Sequence, residues 1–182
     1  MTEPPSFEEL LSRVAGLLDR MGIRSALIGG LAVATWGSPR ATEDIDLLAE
    51  LAPSAEVEAA AQAEGWRISW RRGGTDDPIP LLLCLEWLKG GPEVEVICAT
   101  RAWERAMVHR AVPVVLPDGL RVSVVAPADL IILKLLAGGP QDLIDVADLL
   151  RRCSPMAGLE ELAAERGVLD LLEQVRTTMN TE

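Results

Sequence analysis

The chain has 182 residues, 28 acidic against 17 basic ones, and a formal charge of −11; that length suits one domain, or a core with a helical appendage. With 49% apolar and 25% charged residues it has the material for a sizeable core and is not a disordered chain. The acidic balance argues against gripping a phosphate backbone over a broad surface, and with no Tyr, one Phe (Phe7) and five scattered Trp, a stacking platform for single-stranded bases lacks parts.

Ser6 and Glu9 have the spacing of a capping box, and Leu10, Leu11, Val14, Leu17, Leu18 and Met21 then recur on one helical face. A first amphipathic helix therefore runs to about Gly22. Residues 25–28 read as a short strand ending in Gly29-Gly30, and residues 31–36 as a helix opening directly from the glycines. Residues 43–49 alternate acids with apolar side chains as a strand does, and residues 53–64 are an Ala- and Glu-rich helix. A strand over 66–71 leads into a loop over 73–78. Strands over 80–88 and 93–99 are joined by Lys89-Gly90-Gly91-Pro92, a hairpin by its glycines. After a short helix over 102–108, strands over 112–116 and 120–125 flank the turn Pro117-Asp118-Gly119. From Pro127 onward only helices are expected, over 128–136, 141–151, 158–166 and 168–175. The expectation is an α/β (α+β) fold, with a mixed-sheet domain over 1–125 and a small helical C-terminal part over 126–182 packed on it.

Cys84, Cys98 and Cys153 are an odd number with no CxxC pair and no neighbouring His cluster, so they read as reduced, buried thiols. The acidic N-terminus lacks the pattern of a signal peptide. The apolar stretches 79–88 and 130–137 fall short of the ~20 residues of a membrane span and carry Glu86 and Lys134 inside them. A cytoplasmic protein with no membrane partner is expected.

The chemistry concentrates between residues 26 and 48. A strand feeding two glycines and then a helix gathers free backbone N–H groups, and lets a phosphate approach where a Cβ would block it. Alone, Gly29-Gly30 also suits a plain tight turn. Asp44 and Asp46 add to it: residues two apart on a strand share one face, so both carboxylates converge while Ile45 and Leu47 face the core. Such a pair repels itself unless a cation lies between, and hard oxygen ligands of this type suit Mg²⁺. A solvated strand edge is the plainer alternative. A third acid comes from Glu93-Val94-Glu95-Val96, again acid on one face and apolar on the other. Glu95, flanked by apolar residues, is the better third ligand; Glu93 follows Pro92 at the strand entrance. If this strand lies beside the Asp44–Asp46 strand, three carboxylates meet, the number that serves a two-metal phosphoryl transfer.

Gly29-Gly30, thirteen intervening residues, Asp44-Ile45-Asp46 and then an acid inside a later apolar strand resemble the nucleotidyltransferase superfamily that includes DNA polymerase beta. Within it the chain is most similar to small bacterial proteins of the abortive-infection and minimal-nucleotidyltransferase groups, several of which belong to toxin–antitoxin systems. A second block, residues 126–134 ending in Lys134 and then residues 141–150, resembles the helical lysine and Asp-x-x-Asp motif of those proteins. The resemblance spans residues 24–150. It implies a mixed β-sheet flanked by helices, and two Mg²⁺ ions (or Mn²⁺) on Asp44, Asp46 and Glu95, with Glu95 helping to activate the attacking hydroxyl. It further implies a triphosphate held at Gly29 and Gly30, Lys134 placed toward phosphate, Asp142 and Asp145 as the Asp-x-x-Asp pair, and Arg40 as a charge partner of the nucleotide or the acids.

The sequence departs from that pattern in a Glu where the third carboxylate is commonly Asp, in Gln141 where a basic residue is expected, and in Gly138-Gly139-Pro140 where the connection is usually more charged. The positive charge meeting a triphosphate is correspondingly thin. His109, the sole histidine, reads as a surface residue near Arg105 and Arg110. The expected activity is transfer of a nucleoside monophosphate from an NTP to a hydroxyl acceptor. A protein or small molecule is favoured over RNA, for which Arg71-Arg72 and residues 101–110 are the candidate basic patches. The alternative is a weak or inactive member that binds a nucleotide or a cognate partner protein.

Overall fold

The computed structural model describes residues 5–37, 42, 44–74 and 79–179. The first helix, α1 (Phe7–Arg20), starts where the capping box places it: the Glu9 N–H donates to Ser6 Oγ at 3.2 Å and the Ser6 N–H to Glu9 Oε2 at 3.2 Å. Its stripe of Leu10, Leu11, Val14, Leu17 and Leu18 is buried.

Among the described residues seven strands follow: β1 (Ser25–Leu27), β2 (Ile45–Ala49), β3 (Trp66–Arg72), β4 (Leu81–Trp87), β5 (Val94–Cys98), β6 (Val112–Val115) and β7 (Arg121–Val124). They form one mixed sheet in the order β3-β4-β5-β2-β1-β7-β6. The two expected hairpins, β4/β5 and β6/β7, are antiparallel neighbours, whereas β2/β5 and β1/β7 pair in parallel. Parallel neighbours need crossovers, and helices α2 (Gly29–Thr35), α3 (Ala55–Glu64) and α4 (Ala102–His109) lie in the connections between strands. The last strand is followed by α5 (Pro127–Ala137), α6 (Pro140–Cys153), α7 (Leu159–Glu165) and α8 (Leu169–Met179), with no further strand among the described residues.

One continuous apolar cluster runs from α1 through the inner strand residues Leu27, Ile45, Leu47, Val94 and Val96 to Leu130, Leu135, Val146, Leu149 and Leu172 of the C-terminal helices. Two bonds fasten α2 to its surroundings: Trp36 Nε1 donates to the Val125 carbonyl at 2.9 Å, and the Cys153 thiol to the Trp36 carbonyl at 3.7 Å. Ion pairs from partly exposed arginines to buried carboxylates hold the periphery. Arg110 Nε donates to Asp129 Oδ2 at 2.6 Å, and Glu104, 3% exposed, accepts from the Arg101 N–H at 2.7 Å. Among the described residues no helix is long and apolar enough to cross a membrane.

Most boundaries shift by a residue or two and α8 runs on to Met179; the two shifts that bear on the site lie at the glycines and the acids. Helix α2 begins at Gly29 rather than at residue 31. Strand β2 begins at Ile45, because its ladder with the neighbouring chain segment starts where the Ile45 N–H meets the Glu93 carbonyl at 3.0 Å. Asp44 thus sits just ahead of the strand, exposed, its carbonyl accepting from Thr42 Oγ1 at 3.2 Å.

Candidate active site

Strand register builds the site. Ser69 on β3 faces Cys84 on β4, Cys84 faces Glu95 on β5, and Glu95 faces Asp46 on β2. Because side chains alternate along a strand and register partners share a face, these four form one row across four strands. The side chains before and after Asp46 and Glu95, namely Ile45, Leu47, Val94 and Val96, point to the opposite, buried face. That apolar face fixes the register, since a slip of one residue would bury both carboxylates.

At the end of the row, Gly29 packs against Asp46. Its φ is +63°, and a Cβ built there would lie 2.0 Å from Asp46 Oδ2 and 2.7 Å from its Cγ. The Ile28 N–H donates to the Asp46 carbonyl at 2.9 Å, which sets the glycine over the carboxylate. Gly30 follows, buried in the first turn of α2. Glycine is required here twice over, for a left-handed backbone and for the close approach.

The structure thus brings Gly29, Asp46 and Glu95 together, with Asp44 near by. Burial pushes the Glu95 carboxyl above the ordinary carboxylate range; the Asp46 and Glu93 charges add to the shift, the Arg71 guanidinium works against it, and Asp44 raises it a little further. The donor atoms of Cys84, Glu93 and Glu95 lie within 4.8 Å of one another. Cys84 is 2% exposed, and burial raises its thiol as well. Arg71, on β3, spans two acids: Nη2 is 3.4 Å from Glu93 Oε1 and Nη1 3.6 Å from Glu95 Oε1. Its role escaped the sequence reading, in which Arg71-Arg72 figured only as a basic patch. The one local signal was its place on the same strand face as Ser69.

The second block forms a cluster of its own. Lys134 Nζ lies 2.8 Å from Asp142 Oδ1 and 2.9 Å from Asp145 Oδ2, with Lys134 12% and Asp145 3% exposed. Asp142 Oδ2 also accepts from the Gly139 N–H at 3.1 Å, and Gln141 Nε2 donates to Asp145 Oδ1 at 3.2 Å. The lysine on a mostly apolar helix therefore finds two carboxylate partners that clasp α5 to α6. Arg40 lies outside the described residues. His109 is exposed, but its partners are distant in sequence: Nε2 is 2.7 Å from Glu50 Oε1 and Nδ1 2.8 Å from Arg24 Nη1.

Solved structures share this architecture. An antigenic nucleotidyltransferase-like protein from Paracoccidioides brasiliensis superposes with a TM-score of 0.53 at 17% identity, over 98% of this chain and 95% of that one. The chain has a nucleotidyltransferase fold. The antibiotic-resistance factor ANT(2'')-Ia matches with a TM-score of 0.56 at 17% identity, covering 93% of this chain and 96% of its own. A lincosamide antibiotic adenylyltransferase, solved with lincomycin bound, matches with a TM-score of 0.50 at 14% identity over 81% of this chain and 98% of that chain. No protein-family model matches the sequence, and no curated protein matches it. At these identities the nucleotidyltransferase fold is what is shared, and the site must speak for the chemistry.

A hard divalent cation fits the residues present. Two carboxylates stand side by side on parallel strands with a third and a fourth close enough to act on Glu95, and Gly29 brings backbone, without a Cβ, against the Asp46 carboxylate. Oxygen donors of this kind suit Mg²⁺ or Mn²⁺.

Proposed function

We propose that this chain is a divalent-cation-dependent nucleotidyltransferase that moves a nucleoside monophosphate from an NTP onto a hydroxyl acceptor and releases pyrophosphate. The observation that carries the reading is the register pairing of Asp46 with Glu95 beneath a glycine whose Cβ would strike the Asp46 carboxylate, in a nucleotidyltransferase fold. Asp44, Asp46 and Glu95 are assigned as the ligands of two Mg²⁺ ions, or Mn²⁺, which when bound neutralise the triphosphate and lower the pKa of the attacking hydroxyl. Glu95 is assigned to help take the hydroxyl proton, a role supported by its position in the row on the side away from Gly29. The backbone of Gly29 and Gly30 is assigned to the triphosphate. The acceptor oxygen bonds to the α-phosphorus as the bond to pyrophosphate breaks, with no covalent intermediate on the protein, so positioning and electrostatics carry the rate.

For the acceptor, a small molecule or a protein is favoured over RNA. Four arginines of the basic patches named for RNA face acceptors within the chain: Arg71 on Glu93 and Glu95, Arg101 on Glu104, Arg110 on Asp129, and Arg105 on the Thr100 carbonyl at 2.6 Å. Two fold relatives are antibiotic-directed, which supports a small-molecule acceptor. Membership in a toxin–antitoxin pair, with a cognate partner protein, rests on the motif resemblance to abortive-infection and minimal-nucleotidyltransferase proteins. The division into a sheet domain over 1–125 and a helical extension over 126–182 is proposed from the change from strands to helices at Pro127, and a cytoplasmic location from the short apolar stretches of the sequence.

A second reading, a weak or inactive member that holds a nucleotide, is favoured by one observation: Lys134, the cation assigned to phosphate, is neutralised by Asp142 and Asp145. Under the first reading this clasp must open to lend Lys134 to the nucleotide. Incubation with Mg²⁺ and each labelled NTP, with and without hydroxyl acceptors, separates the two. Pyrophosphate release by the wild type and its loss in Asp46→Asn is the expected result. Nucleotide binding without release under any condition favours the second reading, and release that survives Asp46→Asn refutes the site.

A further inference from the structure

We infer that Arg71 is a displaceable counter-ion of the third carboxylate, occupying Glu95 until a divalent cation takes it and thereby setting the affinity of the site for metal. The inference rests on the cation-site reading above. Arg71 reaches one carboxylate that a cation would use and one beside it: its two terminal nitrogens lie 3.6 Å from Glu95 and 3.4 Å from Glu93, and those two carboxylates sit with Cys84 Sγ in one group of donors. The contacts are looser than the roughly 2.7–2.9 Å of a charge-assisted hydrogen bond. The Arg71 side chain is 61% exposed, so solvent screens both pairs and little is lost when one is broken.

The other ion clusters near the functional blocks are built differently. Lys134 is 12% exposed and held at 2.8 and 2.9 Å by two carboxylates, and Arg110 grips the buried Asp129 with two nitrogens. Those are fasteners. Arg71 instead has one carboxylate inside the row, Glu95, and one beside it, Glu93, so it can leave the first and remain on the second. This arrangement offsets the repulsion among Asp44, Asp46, Glu93 and Glu95 while the metal is away. It also keeps a guanidinium at the edge of the site after the metal arrives, on the side remote from Gly29. Arg71 acts through Glu95 and is a positioning residue.

Mn²⁺ binding to the full chain, measured by electron paramagnetic resonance and calorimetry at low ionic strength, tests it without any turnover. Arg71→Gln should bind Mn²⁺ about fivefold more tightly than wild type, since a unit positive charge several ångströms from a divalent ion in a solvated site weakens binding by a factor of that order. Arg71→Lys should stay near wild type. The gain should shrink at high salt, where the same charge is screened. Asp46→Asn should abolish binding in either background. Asp46-dependent Mn²⁺ binding that Arg71→Gln leaves unchanged or weakens overturns the counter-ion role alone. Binding indifferent to Asp46→Asn overturns the cation site, and the inference with it.

Discussion

Replacing Gly29 by alanine separates the two demands placed on that residue. At φ +63° an alanine pays for the left-handed backbone, about 1–2 kcal/mol. Its Cβ would also sit 2.0, 2.7 and 2.8 Å from Oδ2, Cγ and Cβ of Asp46. The last distance involves an atom fixed to the β2 backbone, so rotating the carboxylate away does not relieve it, and the strand or the glycine turn must shift. Gly22 supplies the control, having φ +70° and nothing within 4 Å of a built Cβ. Gly22→Ala should therefore cost only the conformational part, and Gly29→Ala about 2–4 kcal/mol in total. For a chain of this size each kcal/mol lowers the melting midpoint by about 2–4 °C. The expected outcome is a midpoint drop of about 5–15 °C for Gly29→Ala, with Mn²⁺ affinity reduced more than about tenfold as Asp46 is displaced. Gly22→Ala should melt lower by a smaller amount and keep wild-type affinity. Thermal melts with and without Mn²⁺ read both quantities. Equal melting shifts for the two variants, with Mn²⁺ binding intact in Gly29→Ala, would refute the close approach as the reason for glycine.

Three further outcomes follow from the charges and thiols. Lys134→Met takes the cation from Asp145, 3% exposed beside Asp142, and leaves it the Gln141 amide, and should destabilise by about 3 kcal/mol in urea unfolding; adding Asp145→Asn should recover part of that, and strict additivity would count against the clasp. Glu95 has its folded-state pKa raised, so the folded chain binds that proton more tightly than the unfolded one and this carboxylate costs stability at neutral pH. The cost is relieved as pH falls through the raised value toward the unfolded one. Glu95→Gln should accordingly melt higher than wild type at pH 7 without metal, with the gap closing on acidification; a gap that widens contradicts the sign. Burial pushes the Cys98 thiol up to about 11, leaving roughly one thiolate in a thousand at pH 8. Native alkylation followed by mass spectrometry should modify the half-buried Cys153 first and leave Cys84 and Cys98 for the unfolded chain.

Much of the site could be read along the chain, because its parts are local signals. The capping box at Ser6, the glycines after an apolar strand and the two-residue alternation of Asp44–Leu47 and Glu93–Val96 each depend on neighbours a few positions away. What joins them is not local. Nothing in residues 93–98 says that this strand lies parallel to β2, and the third carboxylate remained conditional until the ladder Asp46↔Glu95 supplied the neighbour. Arg71 shows the same limit more sharply: it belongs to a strand two places away from β5, and only the sheet order brings it to Glu95. Lys134 illustrates the converse. Its apolar surroundings demanded a partner, and the helix-spaced acids that met the demand were already visible at Asp142 and Asp145, though as an Asp-x-x-Asp motif and not as its clasp. The starts of α2 and β2 moved because hydrogen bonding, which periodicity does not report, decides where a ladder or a helix begins.

The row from Ser69 to Asp46 has a consequence for how the molecule comes to exist. Its two acids are set side by side by a parallel pairing that cannot close until β5 has been synthesised, some fifty residues after β2, and closing so long a loop is slow. At that moment the chain must press two like charges together, and the pairing gains nothing from them. The work is done by the reverse side of the same strands, where Ile45 meets Val94 and Leu47 meets Val96 in full burial. The reactive surface of the sheet is therefore a passenger on its oily one. Variation that loosens those four aliphatic side chains would erase the charge constellation without touching a single charged atom.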